Sequence, residues 1–267
     1  SKYENKAQQS GVYKWVGQHA KKTHSQVKVR IFDWLNNGLY LKNISNLWIV
    51  ELNKIILYRI THIENIPHIL QYGITHKDSI NKNPDYKNIG DLSLIDTRSK
   101  KKVNIDKGEF NPDNGDTITL GDFIPFYFGV KMPMLYVAQH GGNFVESATS
   151  PTDIIYLGCS VSKIISSKLN FYFSDGHATD MLTSFYDKSN INELVNIVDW
   201  EAVKSSYWGG DENLNIKRKK QAEFLVSGDL SPDFIVVFGC YNEIAKDKLI
   251  SLGVASDKIK IIPRAYY

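Results

Sequence analysis

Apolar and polar positions follow several distinct regimes along the chain. From Trp48 to Thr61 (WIVELNKIILYRIT), β-branched and apolar residues dominate, which predicts extended chain. Glu64-Asn65-Ile66-Pro67 then opens a short helical pattern. Ile66, Ile69 and Leu70 share one face, and Gly73 stands where a helix C-terminal glycine belongs. Residues 74 to 121 lose any sustained period and are rich in Asn, Asp, Lys, Gly and Ser, an irregular stretch of the length that compact domains keep for function or motion.

Order returns with DFIPFYFGV (Asp122 to Val130), an aromatic strand pattern in which Pro125 predicts an edge or bulge. DIIYLGCSV (Asp153 to Val161) reads as a second, buried strand, and LNFYFSDGHA ends a third at the Ser174-Asp175-Gly176 turn. Between 191 and 205, the spacing of Ile191, Leu194, Val195 and Val198 predicts a helix face. The basic run Lys217-Arg218-Lys219-Lys220 feeds a strand-like QAEFLV (Gln221 to Val226). DFIVVFGC is a strand, Asn242 to Leu252 a helix with an asparagine cap and Gly253 beyond it, and KIKII (Lys258 to Ile262) closes the chain. Strands outnumber helices without alternating strictly with them, so the expected class is α+β. Residues 1–45, polar, basic and aromatic with weak periodicity, are set apart as an N-terminal arm before a main domain over 46–267.

With 267 residues, 42% hydrophobic and 23% charged, the chain has material for a real core, which excludes collagenous, disordered and disulfide-scaffold classes. Cys159 and Cys240 lie inside apolar runs, where a free thiol behaves as a small inert hydrophobe. No charged and apolar leader opens the sequence, and no apolar stretch approaches the roughly 20 residues of a bilayer span, so a cytoplasmic protein without membrane contact is expected. The net charge of +3 is less informative than its distribution. Positive residues gather in the first 42 positions among Tyr13, Trp15, His19 and His24, again at Lys100–Lys102, and again at Lys217–Lys220. Such runs are ordinarily solvated faces; aromatic neighbours add the possibility of nucleic acid, since bases stack on rings while cations neutralise phosphates.

The common nucleotide, zinc-protease and serine-hydrolase motifs are absent. His62 and His68 have no partners at ligand spacing, so no metal is expected. Glu223 stands out. An apolar alternation through QAEFLV places its carboxylate at or near a buried position, which is costly unless the group is paired or working.

Five segments in order, LYRITHIENIPHILQYGI, NIGDLSLIDTR, DFIPFYFGVKMPMLY, FSDGHA and KRKKQAEFLV, resemble the DarT toxins, which are DNA ADP-ribosyltransferases, from about Leu57 to the end of the chain. The resemblance implies an ADP-ribosyltransferase fold with two small sheets around an NAD cleft. It implies transfer of ADP-ribose from NAD to a base, typically thymine, in single-stranded DNA, and a macrodomain antitoxin partner, DarG-like, that removes the mark. Glu223 matches the family's catalytic glutamate, and Arg98 an arginine placed to hold the pyrophosphate or act on the acceptor base. The matching cofactor positions are His62, Asn65, Gly73, Asn88, Ile89, Arg98, Tyr127 and Phe128, with core packing the alternative for Tyr127 and Phe128 and the favoured one for Phe128. His177, Lys217, Arg218, Lys219 and Lys220 fall where the family contacts DNA, although lysine stands here where arginine is common and lacks its planar fork. The chemistry agrees with these residue types, because cleavage of the nicotinamide–ribose bond develops oxocarbenium character that a carboxylate stabilises. Three other readings stay open from sequence: the same transfer to RNA or another base, hydrolysis of NAD, and a binding module without catalysis.

Overall fold

The computed structural model describes residues 42–44, 47–49, 51–106, 116–142, 145 and 147–267. The chain divides into two units, Ser1–Trp34 and Leu35–Tyr267, and all described residues belong to the second. The expected arm over 1–45 therefore lies outside the described residues, apart from 42–44.

Lys42–Ile44 (β1) and Leu47–Ile49 (β2) pair as an antiparallel ribbon. The extended stretch expected through Thr61 is interrupted at Leu52–Lys54 by a 3-10 turn, closed by a 2.9 Å bond from Lys54 Nζ to Glu51 Oε1. Further along the chain come Ile56–His62 (β3), Lys102–Asn104 (β4), Thr117–Thr119 (β5), Phe123–Tyr127 (β6), Ile154–Ser160 (β7), Phe171–Ser174 (β8), Phe185–Tyr186 (β9), Glu223–Ser227 (β10), Ile235–Cys240 (β11) and Ile259–Ile261 (β12). Eight of them form a sheet in the order β12-β11-β7-β3-β6-β10-β8-β9, antiparallel except at β11–β12. β4 and β5 form a separate ribbon.

The sheet is continuous in name but nearly cut in two. β3 pairs with β7 along its whole length, from Ile56↔Ser160 to His62↔Ile154, and β6 pairs with β10 from Glu223↔Tyr127 to Ser227↔Phe123. Between β3 and β6 there is one pair, Tyr58↔Tyr127. The two small sheets implied by the resemblance are thus two four-stranded halves that touch at one point. Pro125 supplies the reason. Continuing the register by two residues would set Ile60 opposite Pro125, which has no N–H to donate. The Pro125 carbonyl, which points the same way as its nitrogen, is taken instead by Arg59 Nη1 at 3.0 Å.

The helices are Ile66–Tyr72 (α1), Leu92–Lys100 (α2), Pro133–His140 (α3), Val161–Ile165 (α4), Leu194–Ile197 (α5), Trp200–Lys204 (α6), Leu214–Lys220 (α7) and Glu243–Ser251 (α8). Two expectations are corrected here. The single helix anticipated over 191–205 is a 3-10 segment followed by α5 and α6, because Asp199 caps a new start by accepting from Ala202 N at 3.0 Å. The basic run belongs to α7 rather than leading extended into β10; its four cations crowd the last turn, where the helix dipole favours them. Within 74–121, α2 is capped by Asp91 through Leu94 N at 3.1 Å and buries no residue, which explains why periodicity gave no sign of it.

The core joins both halves of the sheet. Phe224 of β10 stacks on Phe171 at 5.0 Å and meets Phe128 edge-on at 6.2 Å, and Phe128 meets Trp200 at 5.7 Å. Each such buried ring contributes roughly 1.5–3 kcal/mol, so β10 is among the best-anchored strands. Cys159 and Cys240 are free and buried, and burial pushes their thiols up to about 12 and about 11, which leaves them inert at neutral pH. Among the described residues no helix is long and apolar enough to cross a membrane, and no group of three or more His, Cys, Asp or Glu is placed to hold a metal.

Candidate active site

Glu223 opens β10 and is 0% exposed. Its backbone N–H donates to Ser174 Oγ at 3.1 Å, and that hydroxyl donates to Gly176 O at 2.7 Å, so the end of β8 and the turn after it fix the main chain. Its Oε1 accepts from Ala178 N at 3.1 Å and from Arg98 Nη1 at 3.0 Å. Arg98, 12% exposed in its side chain, reaches from the last turn of α2 with Nη1 also 2.9 Å from Oε2. Glu223 Oε2 and Arg98 Nη2 are nevertheless buried atoms without a hydrogen-bond partner among the described residues. Burying an ion pair costs several kcal/mol of hydration per ion, and leaving donor and acceptor capacity unspent inside it marks a site built for something else to bind.

Beside this pair lies a cavity of about 390 Å³, within the range of roughly 300–1,000 Å³ typical of small-molecule sites. It opens where β3 and β6 part, with Arg59, Ile60, Pro125 and Tyr127 on the sheet side and Asn88 and Arg98 across from them. Tyr127 faces Glu223 in the β6–β10 register; burial, and then the Glu223 charge, raise its phenol, which stays neutral.

The expected cofactor residues separate into groups. Arg98, Tyr127, Asn88 and Ile89 line the cavity. The Asn88 side chain closes a local turn, accepting from Gly90 N at 3.1 Å and donating to Gly90 O at 3.0 Å, so the Gly90 N–H is already engaged. Asn65 is corrected from ligand to staple. Its buried amide donates to Thr61 Oγ1 at 3.0 Å and Lys87 O at 2.9 Å and accepts from Lys87 N at 2.9 Å, which fastens the 81–90 loop to the start of α1. Gly73 is also structural. Its φ of 81° ends α1, and a Cβ there would collide with the Leu230 carbonyl. Phe128 is a core residue, 1% exposed and enclosed by Trp200 and Phe224. His62 is buried outside the residues lining this cavity, its Nδ1 accepting from Glu64 N at 3.2 Å; burial lowers its pKa and keeps it neutral.

His177 lies in the turn that also supplies Ala178, with Nδ1 3.0 Å from Thr179 Oγ1. Burial lowers its pKa, with Glu223 the main opposing influence, so the ring is neutral beside the carboxylate. The basic run does not act as one patch. Lys220 is corrected outright: it is 1% exposed, its Nζ caps Val203 O at 2.9 Å, and burial pulls its pKa down to about 8, so no phosphate reaches it. Lys219 pairs with Asp199 at 2.9 Å, and Arg218 with Asp175 at 3.2 Å. Lys217 lies over the Trp208 ring, 5.4 Å from its centroid. Sequence reasoning missed Arg59, Ser174 and the Ala178 amide. All three act through contacts with residues distant in sequence, Arg59 with a carbonyl 66 positions away, which no local pattern encodes.

The family model described as "ssDNA thymidine ADP-ribosyltransferase, DarT" matches residues 58–267. A DNA ADP-ribosyl transferase of Thermus sp. (strain 2.9) is 33% identical over 172 residues, which is 64% of this chain and 73% of that protein. A fusion of DNA ADP-ribosyl transferase with DNA ADP-ribosyl glycohydrolase from Thermosipho africanus is 27% identical over 209 residues, 78% of this chain and 47% of the fusion. Thermus sp. 2.9 DarT in complex with ADP-ribosylated single-stranded DNA superposes with a TM-score of 0.64 at 25% identity, over 79% of this chain and 96% of that one. The same enzyme in complex with NAD+ gives 0.60 at 25% identity, over 81% and 98%.

Proposed function

Since this chain belongs to the DarT family of NAD-dependent DNA ADP-ribosyltransferases, we propose that it moves ADP-ribose from NAD to a thymine base of single-stranded DNA, releasing nicotinamide, as the toxin of a toxin–antitoxin pair. The observation that carries this reading is the buried Glu223–Arg98 pair beside the cavity, with Glu223 Oε2 and Arg98 Nη2 without hydrogen-bond partners among the described residues. An acceptor and a donor held in reserve fit a ribose hydroxyl and an anionic phosphate or polarised base, the groups that NAD and thymine bring. NAD supplies a C–N bond to nicotinamide whose breaking places positive charge on the ribose.

The residues of this chain then have separable tasks. Glu223 Oε2 accepts from the ribose hydroxyl while the carboxylate faces the developing positive charge. Ala178 N–H holds that carboxylate, and Ser174 Oγ holds the main chain that carries it, so that it need not reorganise during reaction. Arg98 orients the co-substrate through Nη2 and pairs with Glu223 through Nη1. Tyr127 offers a neutral ring to the cavity wall. We assign to His177 the proton that the acceptor base gives up as its bond to ribose forms, a role its neutral ring supports.

A partner that reverses the mark is supported by the Thermosipho africanus relative, in which a DNA ADP-ribosyl glycohydrolase is fused to the transferase. Both NAD and single-stranded DNA are available in the cytoplasm, where we place the protein. Mass spectrometry of mixed-sequence DNA and RNA oligonucleotides incubated with NAD, with Glu223→Gln as control, tests the reading. A gain of one ADP-ribose on thymine in DNA alone, absent in the variant, is expected. Modified RNA, a different modified base, or nicotinamide release with both oligonucleotides unchanged would sink it.

A further inference from the structure

The loop between β8 and β9, residues 175–184, is unusually well tied. Asp175 N donates to Ser184 O at 3.2 Å and Ser184 N to Asp175 Oδ1 at 3.0 Å, closing its base. Inside it, Asp180 N and Thr183 Oγ1 both donate to His177 O at 2.9 Å, and Leu182 N donates to Asp180 Oδ1 at 2.8 Å. Two cations clamp it from outside: Arg218 Nη1 on Asp175 Oδ1 at 3.2 Å and Lys101 Nζ on Thr179 O at 2.6 Å. The tip of this rigid loop nonetheless holds Met181 at 95% and Leu182 at 79% exposure. Two adjacent large apolar side chains fixed in water lose the hydrophobic gain that burial would bring, which marks an interaction surface.

The position of the tip says which partner. Ala178, three residues before Met181, donates to the Glu223 carboxylate at 3.1 Å. Three residues of chain span about 10 Å at most, so the apolar pair stands within about three nucleotides of a base presented to Glu223, at 3.4 Å per nucleotide of one strand. Lys101 and the exposed Lys102 stand beside the loop as cations, while Arg218 is paired with Asp175 and Asp180 precedes the tip. A partner that is anionic along its backbone and apolar on its flat faces, arriving at that carboxylate, is a nucleic-acid strand.

We propose that Met181 and Leu182 are a wedge that packs against the base next to the acceptor in single-stranded DNA, holding it unstacked so that the acceptor base stands free at Glu223. This rests on the DNA-directed reading above. The wedge makes no covalent contribution; it is a positioning device, and it favours single strands because a duplex neighbour would have to be unpaired first.

The test uses the whole protein with a thymine-containing oligonucleotide carrying 2-aminopurine at each flanking position in turn. Wild-type protein is expected to brighten the probe at one flank as that base unstacks. In Met181→Ala/Leu182→Ala the brightening is lost and the KM for oligonucleotide rises about tenfold, while the KM for NAD moves by less than about twofold. The swap Met181→Leu/Leu182→Met, which keeps apolar bulk, should restore both readouts. An alanine variant with wild-type oligonucleotide KM and unchanged fluorescence overturns the wedge. Failure of the wild-type protein to modify DNA at all would instead overturn the reading on which the wedge rests, and the wedge with it.

Discussion

Arg98 and Glu223, 125 positions apart in sequence, meet at 3.0 Å across the edge of the cleft and share one nitrogen between two carboxylate oxygens. The contact fastens α2, which buries no residue of its own, to a strand anchored in the aromatic core. Glu223→Gln keeps the acceptor for Ala178 N and removes the charge. It is expected to reduce transfer by about 10²–10³-fold or more, with NAD affinity changed far less, checked by single-turnover transfer and by NAD titration.

Asn65 holds both backbone groups of Lys87. Asn65→Ala leaves them without a partner and should cost about 1–3 kcal/mol, measured by urea unfolding. Because the freed loop carries Asn88 and Ile89 on the cavity wall, the KM for NAD should rise more than kcat falls. Faster hydrogen exchange at the Lys87 amide would locate the effect.

Lys220 connects pH to stability. Its pKa falls from 10.5 to about 8 on folding because burial disfavours the ammonium. The unfolded chain therefore binds more protons between those values, and stability rises with pH across that window by about 3 kcal/mol. Below pH 8 both states are protonated and the burden is constant. In Lys220→Met the rise between pH 8 and 10.5 should shrink by that amount in urea unfolding at matched ionic strength.

His177 titrates on the other side of neutrality. Burial lowers its folded pKa below 6.5, so it contributes stability that is present above pH 6.5 and is lost as pH falls through the depressed value. Nuclear magnetic resonance titration of its ring should give a midpoint below 6.5, and the acid limb of kcat should follow it. A midpoint above 6.5 would contradict its neutrality at the site.

Lys217 and Lys220 stand three positions apart with opposite expected effects on DNA. Lys217→Ala removes a half-exposed cation and should lower the salt slope of single-strand binding by about 0.7. Lys220→Met should leave that slope unchanged, since the ammonium is turned to Val203 O.

Aromatic and β-branched runs made β6, β7, β8, β10 and β11 legible, and Asn242 announced α8 by the cap it forms with Ala245 N at 2.9 Å. Glu223 was legible because a charge inside an apolar alternation has to be explained. What stayed hidden depends on distant partners. α2 is amphipathic to no core, the basic run is divided among Asp175, Asp199, Trp208 and Val203 by the packing of α6 and α7, and Asn65 serves a loop 22 positions away. A string of four cations looks the same in sequence whether it faces solvent or caps a carbonyl.

Pro125 decides the molecule's most consequential geometry by omission. Had any other residue stood there, its amide hydrogen could answer Ile60 and the two half-sheets could close like a zipper past Tyr58 and Tyr127. The chamber is walled by the 75–90 loop and α2 on one side and by the parted strands on the other. On the strand side, the position that would carry the ladder onward is held by an imino acid with no hydrogen to give, which leaves the seam open for a guest.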